Sequence, residues 1–477
     1  MSNYTKKGGI TIAKNKMITL PFYPNKEQKT LCWNILGSCF YATNSYISHT
    51  KYMHSIGLKR LPYKEFHKYC NRCKNYTYKE IDNIEDKWEK DFALNLKERS
   101  CYKDSKAVKD ALKRVSLSYN RVYEENKHLE EGEKPHYVHF RNYRNSKRAS
   151  FYFVNNNPDT DISYIDKDHL KIPILGNIKI LHLDRIVDII PYISSGNIII
   201  DHGKWFISII YKDHYNYHID HNKFGIGIDY GIKNLMTISK TNIKQTKAKY
   251  YGTFKGFLKD PKYLKMIKRY KSLQRAISHK QEVNYGKLLN DYLDRHNGEE
   301  PNEETKKHIK SLSYKTNRIS KLYNKAHKQM KHVTNYRDDY FKKCVYNIVV
   351  NIAPSFIKIE DLKVFGMVSN KNLNHKDKDK EYNTHKSHKN IEDISPYKFK
   401  TYLLNKCNDY NTILMLVDQY YPSTQTCSCC GYIRKGEEKL MKSKRIYTCP
   451  NCGYKEDRDI NASKNIALTQ EYEIISA

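Results

Sequence analysis

Long apolar runs are missing from this 477-residue sequence. No uninterrupted stretch reaches the roughly 18 apolar residues that a membrane-spanning helix needs, and no apolar run follows the basic N-terminus, so we expect neither a membrane span nor a signal peptide. A secreted disulfide framework is missing too, because five of the 12 cysteines crowd into one C-terminal segment and the others are scattered through apolar patterns. We therefore expect a reducing compartment.

Acidic residues are scarce relative to basic ones. The 85 Lys and Arg residues against 52 Asp and Glu give a formal net charge of +33. Such an excess opposes self-association, which favours a monomer, and it is typical of proteins that bind a polyanion. The 42 tyrosines offer ring faces on which bases can stack. A basic soluble protein without a nucleic-acid partner is the weaker alternative.

The N-terminal part of the chain is predicted to be a strand followed by a helical module. Met17–Phe22 reads as a strand, and Asn25 with Gln28 three residues later is the pattern of a capping box that begins a helix. Glycine is then nearly absent up to about residue 130, as is typical of helices. Within this module, four residues are either ordinary buried side chains, which we prefer, or ligands of a second zinc ion: His67, Cys70, Cys73 and Cys101.

From Pro135 the apolar period changes to two, which predicts strands separated by Asn, Asp and Gly turns. The predicted strands are Tyr137–Phe140, Phe151–Val154, Ile178–Ile180, Ile198–Ile200 and Trp205–Ile210. They predict a small β-barrel. Four basic residues at its entrance are candidates for phosphate binding, with a solvated loop as the alternative: Arg141, Arg144, Lys147 and Arg148.

Three acidic residues occupy similar places in the α/β pattern that begins at Lys223. Asp229 and Glu360 each end a predicted strand, where ligands collect in α/β sheets, and Asp459 follows a cysteine-rich segment. Each has a structural alternative, since Asp229 can stabilise a turn, and either Glu360 or Asp361 and either Asp457 or Asp459 can cap a helix. Together on a basic chain they favour a two-Mg²⁺ site for phosphodiester hydrolysis.

The segment from Thr426 to Ala467 contains two Cys-x-x-Cys pairs separated by 18 residues. This spacing is typical of a zinc ribbon, and Gly431 and Gly453 allow the tight turns that bring four thiolates to one tetrahedral ion. The predicted zinc ligands are Cys427, Cys430, Cys449 and Cys452. All four coordination positions are then filled by protein, so we expect a structural ion.

The motifs GIDYGIKNL (227–235), IKIEDL (357–362) and the ribbon followed by DRDINASKNIA (457–467) resemble the three split RuvC motifs of the TnpB nucleases, their Fanzor relatives and compact type V CRISPR effectors. The N-terminal strand and the stretch YPNKEQKTLCWNILGSCFYATNSYI resemble the opening of TnpB proteins. Tyr230 and Ser463 depart from the commoner residues of the motifs.

The resemblance implies a multidomain α+β protein. Its expected parts are the first strand of a wedge β-barrel (1–25), a helical recognition module (26–133), the rest of the wedge barrel (134–222), an α/β RuvC domain of RNase H type (223–420) with a helical insertion at about 258–350, the zinc ribbon (421–456), and the last RuvC motif with a C-terminal helix (457–477). Residues 366–393, poor in apolar positions, are expected to be a mobile loop.

The resemblance also implies an RNA-guided DNA endonuclease. Asp229, Glu360 and Asp459 match the catalytic carboxylates that bind two Mg²⁺ ions, and one structural Zn²⁺ fills the ribbon. The implied partners are a noncoding guide RNA and double-stranded DNA beside a short recognition motif. The implied location is the cytoplasm of a prokaryote, in association with the nucleoid, or the nucleus for a eukaryotic or viral Fanzor. A nuclease-inactive RNA-guided repressor and a DNA transposase are the alternatives.

Overall fold

The computed structural model of the chain describes residues 14–98, 105–129, 135–141, 148–157, 161–213, 219–231, 234–242, 247–314, 316–361, 394–441 and 444–476. The chain divides into two compact units, residues 1–215 and 216–477. None of the described helices is long and apolar enough to cross a membrane. The predicted mobile loop at 366–393, Arg144, Lys147 and Cys101 lie outside the described residues.

In the described part of the first unit, five α-helices lie in sequence between the first two strands of a sheet. The helices are α1 (Lys26–Ser55), α2 (Tyr63–Asn75), α3 (Tyr78–Asp82), α4 (Lys87–Glu98) and α5 (Ser105–Asn126). The strands are β1 (Lys14–Tyr23), β2 (Arg148–Val154), β3 (Ser163–Tyr164), β4 (His169–Ile172), β5 (Gly176–Ile180), β6 (Ile193–Asp201) and β7 (Lys204–Asp213). A 3₁₀ helix spans Leu183–Tyr192.

The seven strands form an antiparallel sheet in the order β2-β6-β7-β1-β5-β4-β3. Among the described strands, β2 and β3 are the two ends of this order, so barrel closure stays a prediction. The capping box is confirmed: Asn25 Oδ1 accepts from the Gln28 amide at 2.8 Å, and Gln28 Oε1 accepts from the Asn25 amide at 3.0 Å. Apolar side chains of the helices and of the sheet form one continuous core.

One predicted strand is wrong. Residues 136–141 form no strand, because side-chain amides rather than a neighbouring strand bind their backbone. Asn126 bonds to both the N–H and the C=O of His136, and Asn44 does the same for Arg141. Tyr137 and Phe140 are 66% and 52% exposed, whereas Val138 between them is half-buried against the core. The segment therefore packs on the core through one side chain without joining the sheet.

The second unit is built on a mixed six-stranded sheet in the order β10-β9-β8-β11-β12-β15. Its strands are β8 (Phe224–Tyr230), β9 (Asn234–Asn242), β10 (Lys249–Lys255), β11 (Phe356–Glu360), β12 (Ile413–Val417) and β15 (Tyr472–Ser476), and the small hairpin β13 (Ile446–Thr448) and β14 (Lys455–Asp457) lies between β12 and β15 in sequence. The pairs β8/β11 and β11/β12 are parallel, and the other pairs of this sheet are antiparallel.

The helices of this unit are α6 (Pro261–Arg295), α7 (Glu303–Ser313), α8 (Asn317–Tyr346), α9 (Pro396–Tyr410) and α10 (Arg458–Leu468). The apolar stripe that the sequence suggests from Ile309 to Val333 is divided between α7 and α8, with Asn302 and Thr316 each accepting a bond as an N-cap. The last helix ends at Leu468, and the following residues form the edge strand β15.

Candidate active site and metal centre

Strand β8 presents Gly225, Gly227 and Asp229 on one face, because alternate residues of a strand point to the same side. The backbone of α10 lies directly on Gly227: a Cβ there would meet Ala467 N at 2.2 Å and Ser463 O at 2.7 Å. A buried hydrogen bond of 2.7 Å between the Ser239 and Ser463 hydroxyls ties α10 to β9 as well. The small residues of β8 therefore let α10 cover the sheet face that carries Asp229.

Glu360 lies on the strand next to Asp229. The parallel register pairs Lys358 with Gly227 and Ile359 with Ile228. Glu360 and Asp229 are the next residues on the two strands, so they lie side by side. Lys358 and Glu360 share the face that α10 covers. The buried Lys358 ammonium donates to Ala467 O at 3.2 Å and Thr469 O at 2.5 Å, the carbonyls at the end of α10. Desolvation lowers the pKa of Lys358 to about 8.

Asp459 lies in the first turn of α10, whereas Asp457 is the N-cap of that helix. Asp457 Oδ1 accepts from the backbone amides of Asp459 at 2.8 Å and Ile460 at 3.4 Å. Asp459 instead receives a hydrogen bond from Arg445, which precedes β13, and its other oxygen lies 3.7 Å from Arg458 Nε. Arg445 also lies 3.8 Å from Asp457, so Asp457 is the helix cap at the edge of this ion pair, and Asp459 is the acid whose charge acts on Asp229.

The charges of Asp459 and Glu360 affect the pKa of Asp229. The pKa of Asp229 is raised to about 8, mainly by desolvation and then by the negative charges of Asp459 and Glu360, while Arg458 and Arg445 lower it. Desolvation, followed by the charge of Asp418, raises the pKa of Glu360 to about 7. The raised pKa values mean that the negative charges of Asp229 and Glu360 are not balanced by nearby protein cations. A hard divalent cation bound by their oxygens would relieve the repulsion between them.

The three carboxylates are not packed as one tight ligand set. Among the described residues, the only group of three or more candidate ligands whose atoms all lie within 4.8 Å of one another is the cysteine cluster. A two-ion site does not require a single tight set, because its ions lie about 4 Å apart and different carboxylates serve each ion. Asp229, which is charge-coupled to both Asp459 and Glu360, is placed to be shared.

Sequence reasoning missed Asp418, a fourth carboxylate of this region. It follows the last residue of β12, and the pairing of Glu360 with Val417 brings it beside Glu360. The rule that singles out Asp229 and Glu360, an acid at the end of a buried strand, also applies to Asp418. Asp361 differs from these residues, because Lys400 on α9 forms an ion pair with it at 2.5 Å.

The four predicted zinc ligands form one cluster. The sulfur atoms of Cys427 and Cys452 are 3.8 Å apart, and those of Cys430 and Cys449 are 3.6 Å apart. A tetrahedral zinc ion with Zn–S bonds of about 2.3 Å requires its sulfur atoms to lie about 3.8 Å apart. The sulfur separations therefore fit zinc. Because protein would fill all four positions, an ion here would be structural.

The two halves of the cluster repeat one backbone pattern. Gly431 and Gly453, at φ of 75° and 69°, donate to the carbonyls of Cys427 and Cys449 at 2.9 and 3.0 Å. These left-handed turns are ones that glycine adopts without strain. The backbone amide of Tyr432 and then the side chain of Asn451 lower the pKa of Cys430 to about 6, which favours its thiolate.

Two asparagines of α10 connect the cysteine cluster to the carboxylates. Asn461 donates to Thr426 O at 2.7 Å and accepts from the Ser428 amide at 2.9 Å, so it binds the chain on both sides of Cys427. Asn465 donates to Ser423 O and Thr426 O at 2.8 and 2.7 Å. Both are buried, and they share a helix with Asp459.

Three of the four alternative zinc ligands of the first unit are described, and they are buried core residues. His67, Cys70 and Cys73 lie buried on α2, and burial raises the pKa of the Cys73 thiol to about 11. These three residues form no group of candidate ligands close enough to share one ion, and Cys101 lies outside the described residues. Arg141 and Arg148, the described members of the predicted phosphate cluster, also lie in the first unit, beside a cavity.

Comparisons with known proteins point to one lineage. Residues 397–466 match the family model described as "Cas12f1-like, TNB domain". A "Putative RNA-guided DNA endonuclease" of Streptomyces pristinaespiralis is 37% identical over 76 residues, which are 16% of this chain and 18% of that relative. The TnpB-like protein L79 of Acanthamoeba polyphaga mimivirus is 40% identical over 73 residues, 15% of this chain and 13% of that relative. The resemblance to TnpB and type V effectors is thus confirmed for part of the chain.

Solved structures of similar chains have low overall superposition scores. A Cas12f1–sgRNA–target DNA complex aligns with 97% of this chain and 100% of its own chain, at a TM-score of 0.47 and 12% identity. The mini RNA-guided endonuclease CRISPR-Cas_phi3 aligns with 96% of this chain and 93% of its own, at a TM-score of 0.35 and 11% identity.

Proposed function

We propose that this chain is an RNA-guided DNA endonuclease that cuts both strands of a matched duplex at the site formed by Asp229, Glu360 and Asp459. The observation that carries the proposal is the convergence of these carboxylates from β8, β11 and α10 on one face of a sheet, with the pKa of Asp229 raised first by desolvation and then by the charges of Asp459 and Glu360. The partial relatives named for RNA-guided DNA cleavage and for TnpB support the same activity.

The mixed sheet with its helical segment between β10 and β11 is proposed to be the RuvC domain of RNase H type, and the cysteine cluster its zinc ribbon. The first unit is proposed to be the wedge domain with its inserted helical module. Two Mg²⁺ ions, when bound, would supply the activation of the attacking water and the stabilisation of the leaving 3′ oxygen. We propose a noncoding guide RNA and double-stranded DNA as partners.

The residues of the chain would prepare this chemistry in three ways. Asp229, as the carboxylate coupled to both others, would contribute oxygens to both ions, while Glu360 and Asp459 would each serve one. Arg445 and Arg458 hold Asp459 in place by ion pairs until a cation binds. Lys358 fixes the end of α10 against β11 and thereby sets the position of Asp459 relative to Glu360.

The proposal is tested with two matched pairs of variants. The full chain is co-purified with RNA transcribed from its flanking DNA and incubated with Mg²⁺ and a matched plasmid. Glu360→Gln and Asp459→Asn should lower the cleavage rate by about 10³-fold, because each removes a negatively charged ligand while keeping the shape. Asp361→Asn and Asp457→Asn should cut within a few fold of the parent, since Asp361 is paired with Lys400 and Asn is also a good N-cap.

Equal cleavage by all four variants would refute the site assignment. A parent chain that binds the matched plasmid with RNA but never cuts it would indicate a nuclease-inactive repressor instead. A parent that joins strands to new ends would indicate a transposase.

A further inference from the structure

The first unit contains a cavity of about 420 Å³ between α1, α5 and the start of β2. This volume lies within the range of small-molecule sites, about 300–1,000 Å³. Apolar side chains form much of its lining, and three arginines and one aspartate supply its charges. The apolar residues are Cys39, Phe40, Ala107, Ala111, Ala149 and Phe151, and the charged ones are Asp110, Arg114, Arg141 and Arg148.

Arg114 is fixed in place by the protein itself. Its guanidinium pairs with Asp110 at 2.6 Å and donates to Ser150 Oγ at 3.1 Å and Asn197 Oδ1 at 2.7 Å. Arg114 lies on α5 and the two acceptors lie on β2 and β6, so these bonds define the wall of the cavity. A guanidinium held in this way is ready to meet a planar anion without losing further side-chain entropy.

Arg141 and Arg148 add two guanidinium groups that form no ion pair with any described residue. The pKa of Arg141 is lowered by desolvation first and then by the positive charge of Arg114, which means that two cations face each other in a partly dehydrated space. Such repulsion raises the free energy of the unliganded cavity. An anion placed between the guanidinium groups would relieve it, and phosphate is the anion that arginine binds with two parallel hydrogen bonds.

A residue of α1, Asn44, fixes the backbone of Arg141. The Asn44 side chain accepts from the Arg141 amide at 2.8 Å and donates to its carbonyl at 2.9 Å. No strand pairing of this segment competes with the two bonds. Asn44 therefore anchors this segment at Arg141, whose side chain lines the cavity.

The apolar residues and Asp110 of the cavity favour one class of phosphate-bearing ligand over others. Phe40, Phe151 and the alanines provide an apolar surface of the kind on which a base or sugar ring packs. Asp110 pairs with Arg114 through one oxygen, and an ionised carboxylate accepts several hydrogen bonds. A carboxylate near a phosphate is unfavourable unless the ligand brings hydroxyl donors, and the 2′-hydroxyl of ribose is such a donor.

We propose that this cavity binds one ribonucleotide of an RNA strand, with its phosphate at Arg141 and Arg148 and its 2′-hydroxyl at Asp110. This inference rests on the proposed function for its ligand and deepens it, because it assigns an RNA contact to residues of the first unit. RNA rather than DNA is favoured by the carboxylate, which has no donor to meet in a deoxyribose.

The experiment compares charge-matched variants of the full chain. Fluorescence anisotropy measures the binding of a labelled 20-nucleotide single-stranded RNA and of DNA with the same sequence over a series of salt concentrations. Arg141→Gln with Arg148→Gln should weaken RNA binding by about tenfold or more and lower the log–log salt slope by about 2. Lys109→Gln with Lys113→Gln removes the same charge from exposed positions of α5 and should weaken binding less than about threefold.

Two further readouts separate binding from folding and RNA from DNA. Arg141→Gln should leave the thermal unfolding midpoint of the free chain unchanged or higher, because the repulsion from Arg114 is removed. The parent should prefer RNA to DNA, and Asp110→Ala should bring the ratio of the two affinities towards one.

Equal losses in the two double variants would overturn the cavity assignment, and equal affinity of the parent for RNA and DNA would overturn the ribose assignment. These binding measurements do not depend on cleavage. A chain that shows them but does not cut DNA contradicts the proposed function alone, and a chain that cuts while the arginine variants bind normally contradicts the cavity proposal alone.

Discussion

At the scale of single residues, the glycines of β8 decide where the proposed catalytic carboxylates lie. Gly225 accommodates the ring of Phe356, and Gly227 accommodates the backbone of α10. Because Asp229 is the next residue on the same face, the close approach at Gly227 also brings Asp459 on α10 towards Asp229. A strand with ordinary side chains at these positions would hold the helix farther from the sheet.

Replacing Gly227 with alanine tests this dependence. The added Cβ would lie 2.2 Å from Ala467 N and 2.6 Å from Ala467 Cα, both backbone atoms, so α10 must move. We expect a loss of about 1–3 kcal/mol or more in the free energy of unfolding, as for other overpacked cores, together with a large loss of DNA cleavage. Urea unfolding and the plasmid assay measure the two effects.

Gly252→Ala is the matched control for this substitution. Gly252 lies on β10 of the same sheet, and a Cβ there would meet nothing within 4 Å. Its effect on stability should stay within about 0.5 kcal/mol. Equal stability and full activity in Gly227→Ala would show that α10 does not need its close contact with β8.

Two pairs of neighbouring acids, Glu360 with Asp361 and Asp457 with Asp459, show how precisely the sequence predicts the site residues. Strand ends and the three motifs single out Asp229, Glu360 and Asp459, but the pattern alone leaves Asp361 and Asp457 as alternatives. Asp361 is set apart by a partner distant in sequence, Lys400, and Asp457 by the exact residue at which α10 begins. Sequence spacing carries no information about such partners.

At the scale of elements, α10 joins the cysteine cluster to the sheet. Its N-cap and first turn carry the acids, Asn461 and Asn465 bind the backbone around Cys427, and Lys358 binds its C-terminal carbonyls. The cluster therefore supports the position of Asp459 through the backbone that these two asparagines bind. Loss of zinc should then disturb the carboxylates indirectly.

Cys449→Ser, with Cys429→Ser as its control, tests the support given by the cluster. Cys449 belongs to the four-sulfur group, whereas Cys429 is an exposed thiol outside it. Removing one of four thiolates should abolish stoichiometric zinc and lower the thermal unfolding midpoint, because a structural zinc site contributes directly to folding. Elemental analysis gives the metal content, and hydrogen exchange of α10 amides reports the order of the helix.

In the control, zinc content and α10 protection should match those of the parent. Full zinc occupancy in Cys449→Ser would contradict the assignment of the cluster. Lost zinc with unchanged protection of α10 would contradict the connection through Asn461 and Asn465.

Elements with a buried face were predictable from sequence, and those without one were not. The strands predicted from Phe151–Val154 and Trp205–Ile210 lie within β2 and β7, where alternate side chains enter the core. The edge strand β15 has three exposed residues in its burial pattern and was not predicted. Of residues 137–140, Val138 is half-buried against the core, and the segment joins no strand. A period of two predicts a strand only where one face is buried. A surface segment can show that period without being a strand, and an exposed edge strand can lack it.

At the scale of the whole molecule, each unit has its own hydrophobic core. The core of the first unit ends at Ile209, and that of the second begins at Ile226. The proposed RNA cavity lies in the first unit and the proposed nuclease site in the second. The net charge of +33 makes both units candidates for contact with nucleic acid. The proposed RNA binding and the proposed DNA cleavage are thus assigned to two units that each have their own core.

Separate expression of residues 1–215 and 216–477 tests this division. Because no described core cluster crosses residue 215, each fragment should unfold cooperatively with a fixed near-ultraviolet circular dichroism signal. The first fragment should retain RNA binding that is sensitive to Arg141→Gln, and the second should retain stoichiometric zinc. Neither should cut a matched plasmid alone, since RNA recognition and the carboxylates are then on different molecules. A second fragment without a cooperative transition, or guided cutting by that fragment alone, would contradict the division.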